Sequence, residues 1–205
     1  MIFGKKRLRP VADFNFDLEE GWFGVNPDDA SWPARIADSA GAQGAAARDA
    51  LVSQLTSLAG RVRELGLGDG AARSLVWIPT TAPDHVRCIL SMRLGPSFEG
   101  GPAAYQAHLA ADEGRREPGE RYEVVETWAN DGGAGPTVGA YNVITYTDLL
   151  REEPRTEART LFGVFPEDCS QMFEFVFTTT DLDGFDDIVS VTAHWVSTLT
   201  VELEK

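Results

Sequence analysis

The sequence contains little cysteine and no long apolar segment, and both shortages narrow the class of protein. Cys88 and Cys169 are the only cysteines among 205 residues, and their spacing fits no CxxC pair. Disulfide-rich domains belong to oxidising compartments, so this sequence predicts a reducing, cytoplasmic environment. No apolar run approaches the roughly 20 residues that a membrane-spanning helix needs, and no membrane span is therefore predicted.

Basic residues are also scarce. Lysine and arginine number 18 against 32 aspartates and glutamates, which gives a formal net charge of −14. Four of the basic residues stand in the first ten positions, which leaves 14 basic against 32 acidic residues, a net charge of −18, in the rest. Such a surface repels phosphate backbones and anionic lipids. The charge therefore excludes nucleic-acid binding by the body of the protein and favours a basic protein partner.

The basic stretch itself, MIFGKKRLRP, opens the chain. The residues that follow it are largely acidic, whereas a signal peptide continues into an apolar segment. Contact with a membrane or with RNA is an alternative for so basic a stretch. A flexible N-terminus over residues 1–12 is the expectation that fits a solvated chain end best.

Length and periodicity predict one α+β domain over residues 13–205. A chain of this size matches a single domain, and a hydrophobic content of 43% is enough for a core. Alternating apolar residues predict strands, at 13–25, 73–81, 85–95, 120–130, 136–147, 158–166 and 170–180. Helices are predicted at 43–66, at 100–114 and at the C-terminal end of the chain. Because hairpins dominate and helices are segregated, we expect a mostly antiparallel sheet covered by helices.

The predicted helix 43–66 carries an apolar stripe. The stripe consists of leucines and one valine spaced by three or four residues, at Leu51, Leu55, Leu58, Val62 and Leu65. The glycine-rich segment 66–70 would end the helix. The stripe favours packing against the protein's own sheet, and pairing with a second copy to form a homodimer is the alternative.

The acidic segment 181–187, DLDGFDD, resembles a calcium loop at first sight. An EF-hand loop that began at Asp181 would need an oxygen ligand at Phe185 and a glutamate at Thr192, so the match fails. Acidic side chains at the start of a helix act as caps and favour the positive end of its dipole. We therefore expect Asp181 or Asp183 to cap a closing helix, and we predict no metal and no cofactor.

Motifs of catalysis are missing as well. The sequence has no GxSxG elbow and no HExxH pair, and the glycine-rich segment 131–135 fits a hairpin better than a phosphate loop. Cys88 alternates with apolar residues, as a buried structural thiol would. We therefore predict no catalytic residue. An enzyme whose site gathers Asp181, His85 or His194 is the less favoured hypothesis.

Aromatic residues are more abundant than a sheet core needs. Trp128 stands where a predicted strand enters a hairpin, and Tyr141 and Tyr146 project from opposite faces of the following strand. Aromatic side chains at such rims anchor protein partners. Trp128, Tyr141 and Tyr146 are therefore the predicted partner-binding residues, with core packing as the alternative for the aromatic set.

Two segments resemble a known superfamily. FNFDLEEGW, residues 14–22, is similar to the opening strand and Gly-Trp turn of PsbP-like proteins and of the related Ran-release-factor and DcrB/Eag-type proteins. Residues 173–199 look like their closing strand, loop and helix. The resemblance implies a seven-stranded antiparallel sheet flanked by helices that serves mostly in non-catalytic protein binding. The helical insertion at 43–66 departs from that pattern, and no functional residue carries over.

Together these observations predict a non-enzymatic cytoplasmic protein-binding module, such as an adaptor or a secretion-type chaperone. The alternative is an acidic immunity or antitoxin-type inhibitor, which would offer its negative surface to a basic toxin.

Overall fold

The computed structural model describes residues 8–64, 72–111, 119–147 and 154–205, with the backbone alone at residues 61–64 and 72. Two of the sequence predictions involve residues outside these ranges. One is the flexible N-terminus, which includes Lys5, Lys6 and Arg7, and the other is the end of the predicted helix at the glycine-rich segment 66–70. Among the helices described, none combines the length and the apolar character needed to cross a membrane.

Nine strands and four helices make up the described part of the chain. The strands are β1 (Val11–Asn15), β2 (Trp22–Val25), β3 (Ala72–Trp77), β4 (Cys88–Pro96), β5 (Glu120–Gly132), β6 (Gly135–Tyr146), β7 (Arg155–Val164), β8 (Gln171–Thr179) and β9 (Thr200–Leu203). The helices are α1 (Trp32–Ala40), α2 (Ala45–Glu64), α3 (Gly101–Ala110) and α4 (Ile188–Ser197).

Seven strands form one antiparallel sheet in the order β2-β3-β4-β8-β7-β6-β5, and β1 pairs with β9 in a separate two-stranded sheet. The predicted α+β class, with a mostly antiparallel sheet covered by helices, is confirmed. The hairpin predicted at 131–135 is also present, since Gly132 pairs with Gly135 at the turn between β5 and β6.

The two faces of the large sheet differ in composition. Side chains alternate between faces along a strand, so β8 presents its phenylalanines on one face and Glu174, Val176 and Thr178 on the other. We call the phenylalanine side, which α4 covers, the α4 face. The opposite side, which carries α1, α2 and α3, is called the α2–α3 face.

The α4 face holds the largest aromatic cluster. Trp195 of α4 lies within 5.3–5.6 Å, centroid to centroid, of Trp22, Trp77 and Phe177. The edge-to-face geometry of Trp195 against Trp22 and Trp77 is favourable for aromatic rings. The two-stranded sheet closes the same core, because Phe14 meets Phe173 with a centroid separation of 5.1 Å.

Gly21 enables the turn that brings Trp22 into this core. Its φ of +97° lies in the region that side chains rarely adopt, and a Cβ there would collide with the carbonyl oxygen of Ile78. The backbone N–H of Ile78 donates to the Gly21 carbonyl at 2.9 Å. The Gly-Trp turn noted in the sequence therefore requires glycine at its first position.

On the α2–α3 face, helices cover two separate apolar clusters. Leu51 and Leu55 of α2 are buried with Val76 and Ile89 of the sheet and with Trp32 of α1. The second cluster lies under α3, around buried Tyr105 and Leu109. Two residues of the stripe proposed for dimerisation are thus used within the fold, and a homodimer through α2 stays a prediction.

The predicted cap of the closing helix is wrong. Asp187 caps α4, because its carboxylate accepts a hydrogen bond from the backbone N–H of Ser190 at 3.0 Å. Asp181 and Asp183 precede and enter a single 3-10 turn at Leu182–Gly184 instead. Asp181 instead contacts His85, whose Nε2 lies 3.3 Å from its carboxylate.

The chain joins the fold before residue 13. The backbone N–H of Arg9 donates to the carbonyl of Asp168 at 2.9 Å, and Ser170 donates to the Arg9 carbonyl at the same distance. β1 then begins at Val11. The bounds of 13–205 for the domain stay a prediction.

Candidate functional site

A groove opens on the α4 face where helix α4 begins. Its volume is about 350 Å³, and the strands β6 and β7, the end of β8 and the segment leading into α4 line it. We call it the acidic groove and define it by its lining residues: Tyr141, Val143, Ala158, Thr179, Leu182, Phe185, Asp186, Asp187, Ile188 and Val189.

The groove lies beside the start of α4. The helix starts at Ile188, where Asp187 caps it, and it packs over β7 through Thr192, which accepts a hydrogen bond from Thr160 at 2.9 Å. On β6, Tyr141 and Val143 lie beyond the helix and are only half-buried. Two strands of the sheet therefore extend past the cover that α4 provides.

Apolar side chains are exposed at the rim of the groove. Leu182 is 46% exposed and is one of two large hydrophobic side chains exposed in the described part of the chain; the other is Leu8 at 55%. Phe185 sits beside it and packs against Trp77 with a centroid separation of 5.5 Å. The 3-10 turn thus holds the Leu182 side chain largely in solvent.

The electrostatic character of the groove is negative. Burial raises the pKa of the Tyr141 phenol above its usual value, and the charges of Glu126 and Asp187 raise it further. Hydrogen bonds from Ser190 hold the pKa of Asp187 below its usual value, so this cap is ionised at neutral pH. Asp186 adds a second carboxylate to the lining.

A cluster formed by Gln54, His85, Arg87 and Asp181 lies beside the groove. The Gln54 side-chain oxygen accepts from the Val86 N–H at 3.1 Å, so its amide nitrogen faces His85 Nδ1 at 3.2 Å. This arrangement leaves His85 Nε2 to donate to Asp181, which also pairs with Arg87. Of the three residues in the enzyme hypothesis, Asp181 and His85 meet, while His194 is exposed on α4. These contacts of Asp181 with His85 and Arg87 hold the segment that carries Leu182 against the residues preceding β4, and through Gln54 against α2.

The three residues predicted to bind a partner are divided between the two faces. Tyr141 lines the groove. Trp128 lies on the same face but rests on Gly139, where a Cβ would collide with the indole, and packs edge-on against Phe162 at 5.9 Å. Tyr146 lies on the α2–α3 face, where its hydroxyl accepts a hydrogen bond from Arg159 Nη2 at 2.9 Å. A role for each in partner binding stays a prediction.

Sequence reasoning missed Leu182, Phe185 and Asp186 as groove residues. It assigned the segment 181–187 to helix capping. The signal that was available is Leu182 itself: an apolar side chain between two aspartates, in a turn that glycine at 184 breaks. Such a leucine faces solvent unless a partner covers it.

No protein-family model matches the sequence, and no curated protein matches it. Solved structures of similar fold do exist. The solution structure of cyanobacterial PsbP from Synechocystis matches with a TM-score of 0.48 and 12% identity, over 98% of this chain and 96% of that one. LpqN from Mycobacterium tuberculosis, described as involved in cell envelope biogenesis, matches with a TM-score of 0.44 and 10% identity, over 94% and 85%.

A third match is the protein of unknown function PA94 from Pseudomonas aeruginosa, with a TM-score of 0.34 and 14% identity, over 53% of this chain and 67% of that one. A PsbP protein is among these matches, each of which has a TM-score below 0.5. At 10–14% identity the likeness concerns the arrangement of strands and helices alone.

Proposed function

We propose that this chain is a non-enzymatic, cytoplasmic protein-binding module that holds a basic segment of its partner in the acidic groove. The observation that carries the proposal is the exposed Leu182, which lies with Phe185 and Tyr141 beside the carboxylates of Asp186 and Asp187. An apolar contact flanked by two acidic side chains suits a segment that alternates apolar and basic residues.

The two kinds of side chain make different contributions. Covering Leu182 and the neighbouring rings removes apolar surface from water, at about 25 cal/mol per Å². Carboxylates at the rim add little affinity, but they steer a basic partner and raise the association rate. The net charge of −14 extends the same attraction over the whole surface.

The inhibitor hypothesis has its own support in the charge. An inhibitor of a basic toxin would bind chiefly through long-range attraction, which salt screens at about 10 Å in 0.1 M solution. A module that depends on Leu182 keeps most of its affinity in salt. The salt dependence of binding therefore separates the two hypotheses.

The proposal is tested with a synthetic peptide of alternating leucine and lysine, titrated calorimetrically, and with a leucine–glutamate peptide as its counterpart. Leu182→Ser removes the apolar contact, and Asp187→Asn removes a charge while it keeps a side chain that can cap α4. Leu8→Ser is the matched control, since Leu8 is the other exposed leucine of the described chain.

We expect the lysine peptide alone to bind, with affinity lost in Leu182→Ser, reduced in Asp187→Asn and unchanged in Leu8→Ser. Equal affinity for the wild type and for Leu182→Ser would show that the groove does not bind the peptide. Loss of all binding at 0.5 M salt would favour the inhibitor.

A further inference from the structure

A second groove lies where strand β9 passes the hairpin between β5 and β6. Its volume is about 570 Å³, which is within the usual range of ligand-binding clefts. The hairpin turn at 132–135, the loop that carries Glu167, and the β9 residues Thr200, Val201 and Leu203 line it. We call it the β9 groove, and it shares no lining residue with the acidic groove.

One edge of β9 is free. Within the described part of the chain, β9 pairs with β1 alone, and the backbone N–H of Glu204 donates to the Pro10 carbonyl at 3.0 Å. Successive residues of a strand point their backbone groups to opposite edges, and the irregularity in this ladder lies on β1. The N–H and C=O groups of Val201 and Leu203 therefore point away from β1. Since both residues line the β9 groove, these groups are available to a further strand.

The hairpin side of the groove presents backbone and very small side chains. Three of the four residues of the turn at 132–135 are glycines, and Ala134 is the other. A Cβ at Gly135 would collide with the carbonyl oxygen of Phe165, and a Cβ at Gly133 would lie 3.3 Å from the carbonyl oxygen of Ser197 at the end of α4. The turn thus packs closely against its neighbours, and its small residues keep the space beside β9 open.

The outer face of the two-stranded sheet is acidic. Asp13 of β1 stands opposite Glu202 of β9, and both side chains are exposed. They share the outer face because their neighbours Phe14 and Val201 pack into the core. Like charges directly opposite in a sheet are destabilising. A cation placed beside Glu202 on a third strand would relieve this repulsion.

A third carboxylate and one basic side chain border the same edge. Glu167 lines the groove itself. Arg9 lies beside β9, where its guanidinium donates to the carbonyl of Glu204 at 3.4 Å. Its single positive charge is outweighed by the carboxylates of Asp13, Glu167 and Glu202. A second copy of β9 would bring further acidic side chains to this edge, so the charges disfavour pairing between two copies and favour a basic strand.

We propose that the β9 groove binds an extended segment of a partner protein, which adds to the free edge of β9 and carries basic side chains on its outer face. Val201 and Leu203 exchange backbone hydrogen bonds with this segment, and these bonds supply affinity with little dependence on its sequence. Adjacent strands lie about 4.8 Å apart, so a lysine or arginine on the added strand comes beside Glu202. The charges therefore set the preference for a basic segment.

The test uses a hexapeptide of alternating lysine and threonine, capped at both ends. Threonine favours strands, and the peptide offers no large apolar side chain to Leu182 in the acidic groove. A glutamate–threonine hexapeptide is its counterpart. Binding is followed by NMR titration, and hydrogen exchange is measured at single backbone amides. The amides of Val201 and Leu203 report on the free edge, and the amide of Glu202, which points to β1, is the internal control.

With saturating lysine–threonine peptide, we expect exchange of the Val201 and Leu203 amides to slow at least roughly tenfold, because each becomes hydrogen-bonded. Exchange at Glu202 should not change, and the glutamate–threonine peptide should have no effect. Binding that leaves the Val201 and Leu203 amides unprotected would show attraction by charge alone and would overturn the proposal. So would failure of the lysine–threonine peptide to bind.

A charge variant tests where the basic side chains lie. Glu202→Gln should weaken the lysine–threonine peptide about two- to fivefold, and it should not lower the melting temperature, because it also removes the repulsion from Asp13. Asp84→Asn is the matched control, since Asp84 is also exposed but precedes β4 at the opposite end of the large sheet. Equal losses of affinity in the two variants would overturn the assignment of the basic segment to the edge of β9.

Discussion

The two faces of the central sheet are formed by the same strands but carry different kinds of side chain. On β8, Phe173, Phe175 and Phe177 are fully buried beneath α4 and the two-stranded sheet. The alternate residues Glu174, Val176 and Thr178 lie on the other face, where the side-chain oxygen of Thr178 is buried and makes no hydrogen bond within the described part of the chain. The α4 face is packed with apolar rings, whereas the α2–α3 face includes buried side-chain oxygens that make no hydrogen bond within the described part of the chain.

The comparison indicates where binding residues contribute least to the stability of the fold. On the α4 face the acidic groove opens beside the start of α4, over β6 and parts of β7 and β8. The acidic groove therefore lies at a limit of helical cover, and substitutions of its exposed residues should change binding more than stability.

The largest effect is expected from truncation of the aromatic core on the α4 face. Trp195 is 4% exposed and contacts Trp22, Trp77 and Phe177. Trp195→Ala should lower the free energy of unfolding by about 3–5 kcal/mol, measured by urea denaturation. An unchanged midpoint would show that α4 is not part of the core.

The next effect concerns the buried charge on the α2–α3 face. Glu157→Gln removes the negative charge that Arg155 and Arg159 share and leaves them a neutral amide oxygen, with the Tyr146 hydroxyl as a further acceptor for Arg159. Because both arginines are partly exposed, we expect a loss of about 2 kcal/mol, less than for a fully enclosed pair. A variant as stable as the wild type would mean that the ion pairs serve no structural role.

A matched pair of threonines sharpens the comparison between the faces. Thr160→Val on the α4 face breaks the hydrogen bond to Thr192 and should cost about 1 kcal/mol. Thr178→Val on the other face removes an unpartnered hydroxyl and should cost nothing or stabilise the fold. Equal losses in the two variants, measured by thermal unfolding, would show that Thr178 has a structural partner.

A smaller, pH-dependent effect is expected at the start of α4. The pKa of Asp187 is lowered in the folded state by its hydrogen bonds with Ser190, so its contribution is present above the unfolded pKa and is lost as the pH falls through the folded pKa. Asp187→Ala should lower the melting temperature by a few degrees at pH 7 and by less at pH 3. The same difference at both pH values would exclude the carboxylate cap.

The last prediction is that the Cys88 thiol does not react with thiol reagents in the native protein. Burial on the α4 face raises the pKa of the Cys88 thiol to about 12. At pH 8 a thiol-specific reagent should therefore leave Cys88 unmodified in the native protein and modify it in urea, as followed by peptide mass spectrometry. Rapid native labelling of Cys88 would contradict the packing of β4 under α4.

The large sheet was predictable because alternation and hairpin signals agree along β4 to β8. The cap of α4 was not, because four aspartates precede the helix and tertiary contacts, such as that of Asp181 with His85, help to decide among them. Tyr141 was identified from its place on a strand. The neighbourhood of Ser91, Thr178 and Asn142 could not be identified, since these residues stand far apart in the sequence and come together only through strand register.

The most direct test of the binding groove places a photo-crosslinking amino acid at Leu182 and, in a second protein, at Leu8, in cells of the native host. Both positions are exposed in the isolated chain. If a partner binds in the acidic groove, position 182 should give one discrete crosslinked protein, and position 8 should not give that product. Identical products from the two positions, or none from position 182, would contradict the account.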